Sequence, residues 1–236
     1  ETVAEDCFWQ ELPFVYRTHD NPDPDRMRKL AAFINNFGYS IHLKDDEVHP
    51  KELQKLLAKL EETPEEDLIS RLTLRSMKQA KYTTECTGHF GLAAKYYCHF
   101  TSPIRRYPDL QIHRIIKDVL RGRMNGTREE HYRSILPEVA RQSSERERKA
   151  DEAERETIKL KKVEYMSHHL WEEFDGVISG VTAWGIYVEL PNTVEGLVHI
   201  TALKDDYYTF DQETHELRGE LTKKVYHLGQ KIRVRV

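Results

Sequence analysis

HFTSPIRRYPDLQIHR, residues 99–114, sets two arginines between a Ser-Pro pair and a helix that opens on proline. Pro103 restricts Ser102 to extended or turn geometry, and Pro108 suits a first helical turn, where a missing N–H costs little. Arg105 and Arg106 are neighbours in an extended segment, so they face opposite sides and only one reaches a given site. A guanidinium is a planar fork that can hold a phosphate through two hydrogen bonds. The spacing leaves two readings open: a phosphate grip, or a structural arginine paired with a buried carboxylate such as Asp109. Ile104 is expected to anchor the segment.

Toward the C-terminus, the pattern predicts a helix from Pro108 to about Met124, stopped at Asn125-Gly126. At 100° per residue, Ile112, Ile115, Ile116, Val119 and Leu120 share one face. Arg114, Lys117 and Arg121 form a stripe on the other, readable as a solvated face or as the wall of a phosphate channel. A second helix is expected from roughly Arg128 to Trp171, which Pro137 could interrupt. Its small residues Ser143, Ala150, Ala153 and Thr157 suggest a seam against a neighbour, and Glu154 beside it is expected to turn inward.

Toward the N-terminus, the region 82–100 is irregular and aromatic, with Gly88 and Gly91 around His89 and Phe90. Leu53, Leu56, Leu57 and Leu60, then Leu68, Leu72 and Met77, fall at helical spacing broken by Pro64 and predict two packed helices. The first stretch reads as the end of a helix, an extended segment at Phe14–Arg17, and a helix that starts near Pro22 and Pro24 and stops at Gly38.

Composition changes after Trp171. FDGVISGVTAWGIYVELPNTVEGLVHI, residues 174–200, alternates apolar and polar residues with glycines at turns, an all-β signature. A loop follows, then the strand GQKIRVRV, with Arg233 and Arg235 on one face and Ile232, Val234 and Val236 on the other. The domain boundary is placed at 171/172. Trp184, Tyr187 and His199 are candidate stacking platforms for unpaired bases, each ring being worth about 1–3 kcal/mol. Residues three apart on a regular strand face opposite sides, so Trp184 and Tyr187 act together only if Gly185 kinks the strand.

The chain has 236 residues, a formal net charge of -4, 39% hydrophobic and 32% charged residues. It is not a histone-like polycation, so any polyanion site must be local. No apolar run is long enough to cross a membrane. Three cysteines, odd in number and without CxxC spacing, argue against a disulfide framework or zinc knuckle and point to the cytoplasm. His89, His99 and His113 lack the spacing of a metal hydrolase.

GHFGLAAKYYCHFTSPIRRYPDLQIHR, residues 88–114, resembles the signature of the ribonuclease II (RNB) family, in its ribonuclease R branch. Residues 174–200 resemble the S1-type OB domain that follows in those enzymes, and "ERERKADEAERE" resembles the helix that ends their catalytic domain. The resemblance covers essentially the whole chain. It implies an α+β chain: residues 1–171 as the mainly helical C-terminal portion of an RNB catalytic domain, and 172–236 as an S1 barrel lacking its last strand. It also implies a processive 3′-to-5′ exoribonuclease that hydrolyses single-stranded RNA to 5′-mononucleotides using magnesium; the sequence itself points to no membrane and demands no more than a monomer. Arg105 then grips the reacting phosphate, in a cleft shared with Glu154, which lies near the RNA 3′ end. Trp184, Tyr187 and His199 then hold the RNA, and the charge stripe adds Arg114 and Lys117 as RNA contacts, with Arg106 ranked below Arg105. The family's cluster of metal-binding aspartates has no counterpart here, so the ligands are expected outside this chain, and the isolated chain is expected to be inactive. The other reading is an RNA-binding regulator that keeps the scaffold without hydrolysis.

Overall fold

A computed structural model describes all residues except Asp45, Asp46, Pro64, Gln212, Glu213 and His215, and omits the side chains of Lys44, Asp67 and Leu68. Pro64 and Leu68, used above in the helical pattern, therefore lie outside what is described. The architecture is α+β and falls into two compact units, Glu1–Ala153 and Glu154–Val236.

In the first unit, α1 (Thr2–Trp9) leads to β1 (Tyr16–Thr18) and α2 (Pro24–Asn35). The Asp23 carboxylate accepts from the Asp25 and Arg26 amides, so this acidic Asn-Pro-Asp-Pro-Asp run works as a helix cap. A short hairpin, β2 (Leu43–Lys44) and β3 (Glu47–Val48), precedes α3 (Pro50–Leu60) and α4 (Glu66–Ser76). The apolar faces of α2, α3 and α4 close over Met27, Ile34, Leu56, Leu60, Ile69 and Phe90. β4 (Lys81–Thr83) pairs antiparallel with β1, which places Arg17 opposite Tyr82.

α5 spans Tyr107–Leu120, shorter than the periodicity predicts. Gly122 adopts φ 62°, and the Arg123 amide bonds back to the Asp118 carbonyl at 2.8 Å, so the chain leaves the helix at a left-handed glycine before Asn125-Gly126 is reached. Leu120, assigned to the apolar face, is exposed, because the buried face centres on Ile112 and Ile115 with Asp109, Gln111 and Asp118. α6 (Gly126–Met166) runs straight through Pro137. Arg133 and Pro137 are both exposed, so the carbonyl that loses its helical partner can meet water instead.

The inward face of α6 differs from the expected seam. Tyr132, Leu136, Ala140 and Ser144 are buried at four-residue steps, whereas Ala150, Ala153, Glu154 and Thr157 are exposed. The buried stripe begins on a tyrosine and a leucine, and Ser144 rather than Ser143 continues it, about 100° around the helix. Glu154 is therefore not turned inward within its own unit.

The second unit is built on a four-stranded antiparallel sheet in the order β11-β5-β6-β7: β5 (Glu173–Thr182), β6 (Gly185–Glu189), β7 (Glu195–His199) and β11 (Lys231–Arg235). Ile178, Val181, Ile186, Val188 and Leu217 form its core with Tyr208 and Tyr226. The sheet stays open between β7 and β11, where Met166, Leu190, Leu197 and Val234 help line a cavity of about 490 Å³. The segment expected as a plain loop carries a three-stranded sheet of β8 (Tyr208–Asp211), β9 (Glu216–Gly219) and β10 (Val225–Tyr226). Its strands are too short for alternation to stand out, and Asp206 fixes it by accepting from the Leu221 and Thr222 amides and the Thr222 hydroxyl.

Candidate active site and nucleic-acid interface

Residues 99–114 enclose a tight turn. The Ser102 carbonyl accepts from the amides of Arg105 at 3.3 Å and Arg106 at 3.0 Å. Ile104 stands at the apex and is fully exposed, so it anchors nothing. Polar bonds supply the anchor. Asp109, wholly buried, accepts at Oδ2 from the Ser102 amide (2.9 Å) and from Nε and Nη2 of Arg106 (3.1 and 2.8 Å). Asp109 also lies in the first turn of α5, where a negative charge is favoured by the helix dipole.

The two arginines thus divide. Arg106 spends its fork on Asp109. Arg105 is exposed, and its guanidinium makes no hydrogen bond or ion pair among the described residues. Arg114 and Lys117 are exposed along α5, and Arg121 is exposed at its C-terminal cap. His113 donates to the Phe100 carbonyl at 2.9 Å and stacks on the Phe100 ring at 4.3 Å, which fastens the entry of the turn to the helix behind it.

Behind the turn lies a cluster that sequence reading missed. Arg17 pairs with Glu147 of α6 at 2.6 Å and lies over the Tyr82 ring at 4.6 Å. The Tyr82 hydroxyl meets Nδ1 of His99 at 2.8 Å, and its amide donates to the Ser144 hydroxyl at 2.9 Å. Edge-on ring contacts continue from His99 to Tyr97, His89 and His19. Burial, reinforced by the Arg106 and Arg17 charges, lowers His99 to about 4. Burial, with His19 and Arg17, does the same for His89, also to about 4. Both imidazoles are therefore neutral at pH 7, and with Arg17 and Arg106 paired to Glu147 and Asp109, Arg105 is the guanidinium of the region without an ion pair among the described residues. The available signal was the density of Tyr and His in 82–99, but the contacts that join this cluster to α6, Tyr82–Ser144 and Arg17–Glu147, are set across more than 60 residues of chain.

In the second unit, Gly185 has φ 147° and directly faces His199 across β6 and β7. The kink puts Trp184 in the turn before β6, and its indole N–H donates to the Tyr187 hydroxyl at 3.3 Å. Both rings thus lie on one side of the sheet, with Trp184 53% exposed. Tyr187 sits opposite Gly180 on β5, where a Cβ would lie 3.3 Å from the ring, so that glycine leaves room for it. His199 is exposed beside them, its Nδ1 bonded to Thr201. Glu154, also exposed, belongs to this second unit, while Arg105 belongs to the first. Among the described residues no group of three His, Cys, Asp or Glu side chains could hold a metal, so the residues here do not fit as a magnesium ligand set.

The RNB domain family matches residues 1–122, just over half of the chain. The chain belongs to the RNB family. The S1 RNA binding domain matches residues 171–236 of this RNB chain. It is 43% identical to Ribonuclease R 1 of Lactococcus lactis, over 100% of this chain and 29% of that protein. To Ribonuclease R of Aquifex aeolicus it is 45% identical, over 100% of this chain and 33% of that protein. Among solved structures it is similar to Mycoplasma genitalium RNase R in complex with ribose-methylated single-stranded RNA, with TM-score 0.92, 28% identity, and coverage of 100% of this chain and 37% of the other. The RNB chain thus spans about a third of the length of the curated relatives it matches.

Proposed function

We propose that the protein to which this chain belongs is a processive 3′-to-5′ exoribonuclease that hydrolyses single-stranded RNA to 5′-mononucleotides. The observation that carries this reading is Arg105: an uncommitted guanidinium at the apex of a turn whose other arginine is locked to a buried aspartate. A fork held in this way meets a phosphoryl group without reorganising, which is where electrostatic catalysis is largest. The likeness to RNase R proteins supports the same assignment.

In this reading Arg105 grips the reacting phosphate and Glu154 attends the 3′ end. The exposed Arg114 and Lys117 neutralise backbone phosphates, while Arg106, paired to Asp109, borders the RNA beside Arg105. Trp184, Tyr187 and His199 form a platform for unpaired bases in a domain beginning near residue 172. Magnesium is the cofactor of the whole protein, its ligands lie outside this chain, and residues 1–236 alone do not hydrolyse RNA. The protein works as a cytoplasmic monomer. Among the described residues no helix is long and apolar enough to cross a membrane.

The test is Arg105→Ala in the whole protein. Removing one preorganised donor typically costs about 10²–10³ in turnover, so release of mononucleotides should fall by that order while single-stranded RNA affinity falls only a few-fold. Unchanged turnover refutes the role of Arg105. If the unaltered protein binds RNA but releases no mononucleotide, it is a regulator on this scaffold.

A further inference from the structure

We infer that Asp109 is the positioning residue for Arg105, acting through a single carboxylate oxygen that ties together both ends of the turn presenting it. This rests on the reading of Arg105 given above.

Ile104, at the centre of the turn from Ser102 to Arg106, is fully exposed and gives it no apolar support. The Arg105 and Arg106 amides close the turn on the Ser102 carbonyl, and Asp109 Oδ2 fastens its two ends to α5. The Ser102 amide bonds it at 2.9 Å on the entering side, and the Arg106 guanidinium bonds it at 3.1 and 2.8 Å on the leaving side. Arg105 lies between these two attachments, and its amide is bonded only to the Ser102 carbonyl. Asp109 itself is 0% exposed and belongs to α5. The turn is therefore bolted to a helix, which is a better platform for a catalytic group than a free loop.

The charges lead to the same assignment. A buried carboxylate needs a compensating cation, and Arg106 supplies it. That compensation leaves Arg105 as the uncompensated positive charge at the apex. Two successive arginines thus have separate work, one neutralising the anchor and one meeting the ligand. A misplacement of about 1 Å in a catalytic group can cost on the order of 10²-fold in rate, so loosening the anchor should act on turnover ahead of binding.

The experiment is a double-mutant cycle in the full-length protein with a fluorescently end-labelled single-stranded RNA and magnesium. Asp109→Asn is close in size and can keep an oxygen at the Oδ2 position, because Oδ1 has no hydrogen-bond partner among the described residues, but it loses the charge that holds the Arg106 fork. It should lower kcat by roughly 10- to 100-fold, with KM and RNA Kd within about twofold. On an Arg105→Ala background the same change should cost less than about threefold, because the group it positions is gone. Arg106→Lys keeps the charge and loses the fork, and should give a smaller loss with the same non-additivity. It serves if Asp109→Asn does not fold. Full kcat in the variant that folds, or an equal loss with and without Arg105, overturns the inference. If Arg105→Ala itself keeps full turnover, the underlying reading fails instead.

Discussion

Gly185→Ala tests the geometry of the stacking platform most directly. A Cβ at this position would lie 2.2 Å from the Val198 carbonyl oxygen, and 3.0 Å from both His199 Cα and Ile200 N. All three atoms are backbone, so no side chain can swing away. The φ of 147° adds a conformational cost of about 1–3 kcal/mol for a residue with a Cβ. Relieving the overlap means separating β6 from β7, which would also break the bond from the Ile200 amide to the Trp184 carbonyl, now 2.8 Å, at a net cost of about 1 kcal/mol. Together these give a destabilisation of roughly 2–4 kcal/mol. For a unit of this size that lowers Tm by about 10 °C or more. Single-stranded RNA affinity should fall as well, because Trp184 and His199 flank the displaced bond. The assay is thermal unfolding followed by tryptophan fluorescence, paired with RNA binding by anisotropy. Gly196→Ala is the control: it lies on the same sheet with nothing within 4 Å of its Cβ, and should change stability by no more than about 0.5 kcal/mol. Equal melting of the two variants would refute the reasoning.

Two further outcomes follow from the same geometry. Trp184→Ala and Tyr187→Ala should each weaken single-stranded RNA binding by about 1–3 kcal/mol, roughly 5- to 150-fold in Kd, while mononucleotide release persists at saturating RNA; unchanged affinity would mark both rings as packing. His89 and His99 are held neutral, with folded values of about 4 against an ordinary 6.5, so the unfolded chain binds more protons between these values. Stability should be intact above about pH 6.5 and be lost as pH falls from there toward 4, and His99→Phe should flatten that slope in Tm measured against pH. A slope that stays unaltered in His99→Phe would show that the imidazole does not titrate with unfolding.

Much of this was legible along the chain because the signals are local. Prolines and Asp23 start α2, leucines at three- and four-residue steps pack α3 on α4, and alternation with glycines announces β5 to β7. A local signal also failed at α5, where Gly122 outranked Asn125-Gly126 as the stop, because a left-handed glycine with a backbone bond back to Asp118 ends a helix as soon as it can form. The seam on α6 was misread because small residues permit close packing without causing it. The large apolar residues Tyr132 and Leu136 decided the face, and Ala150 and Ala153 were left outside.

By itself, the sequence determined that residues 99–114 form a turn carrying two arginines into a helix, and that an aromatic-bearing β region follows residue 171. These depend on backbone preferences of proline and glycine and on hydrophobic period, which neighbouring residues express without help. Which arginine is free was decided only in three dimensions, because it depends on Asp109 being buried and on Arg106 being the one that can reach it. The pairing of Arg17 with Glu147, and the meeting of Trp184 with Tyr187, were likewise decided there. Desolvation and hydrogen-bond geometry are properties of assembled surroundings, and no spacing along the chain encodes them.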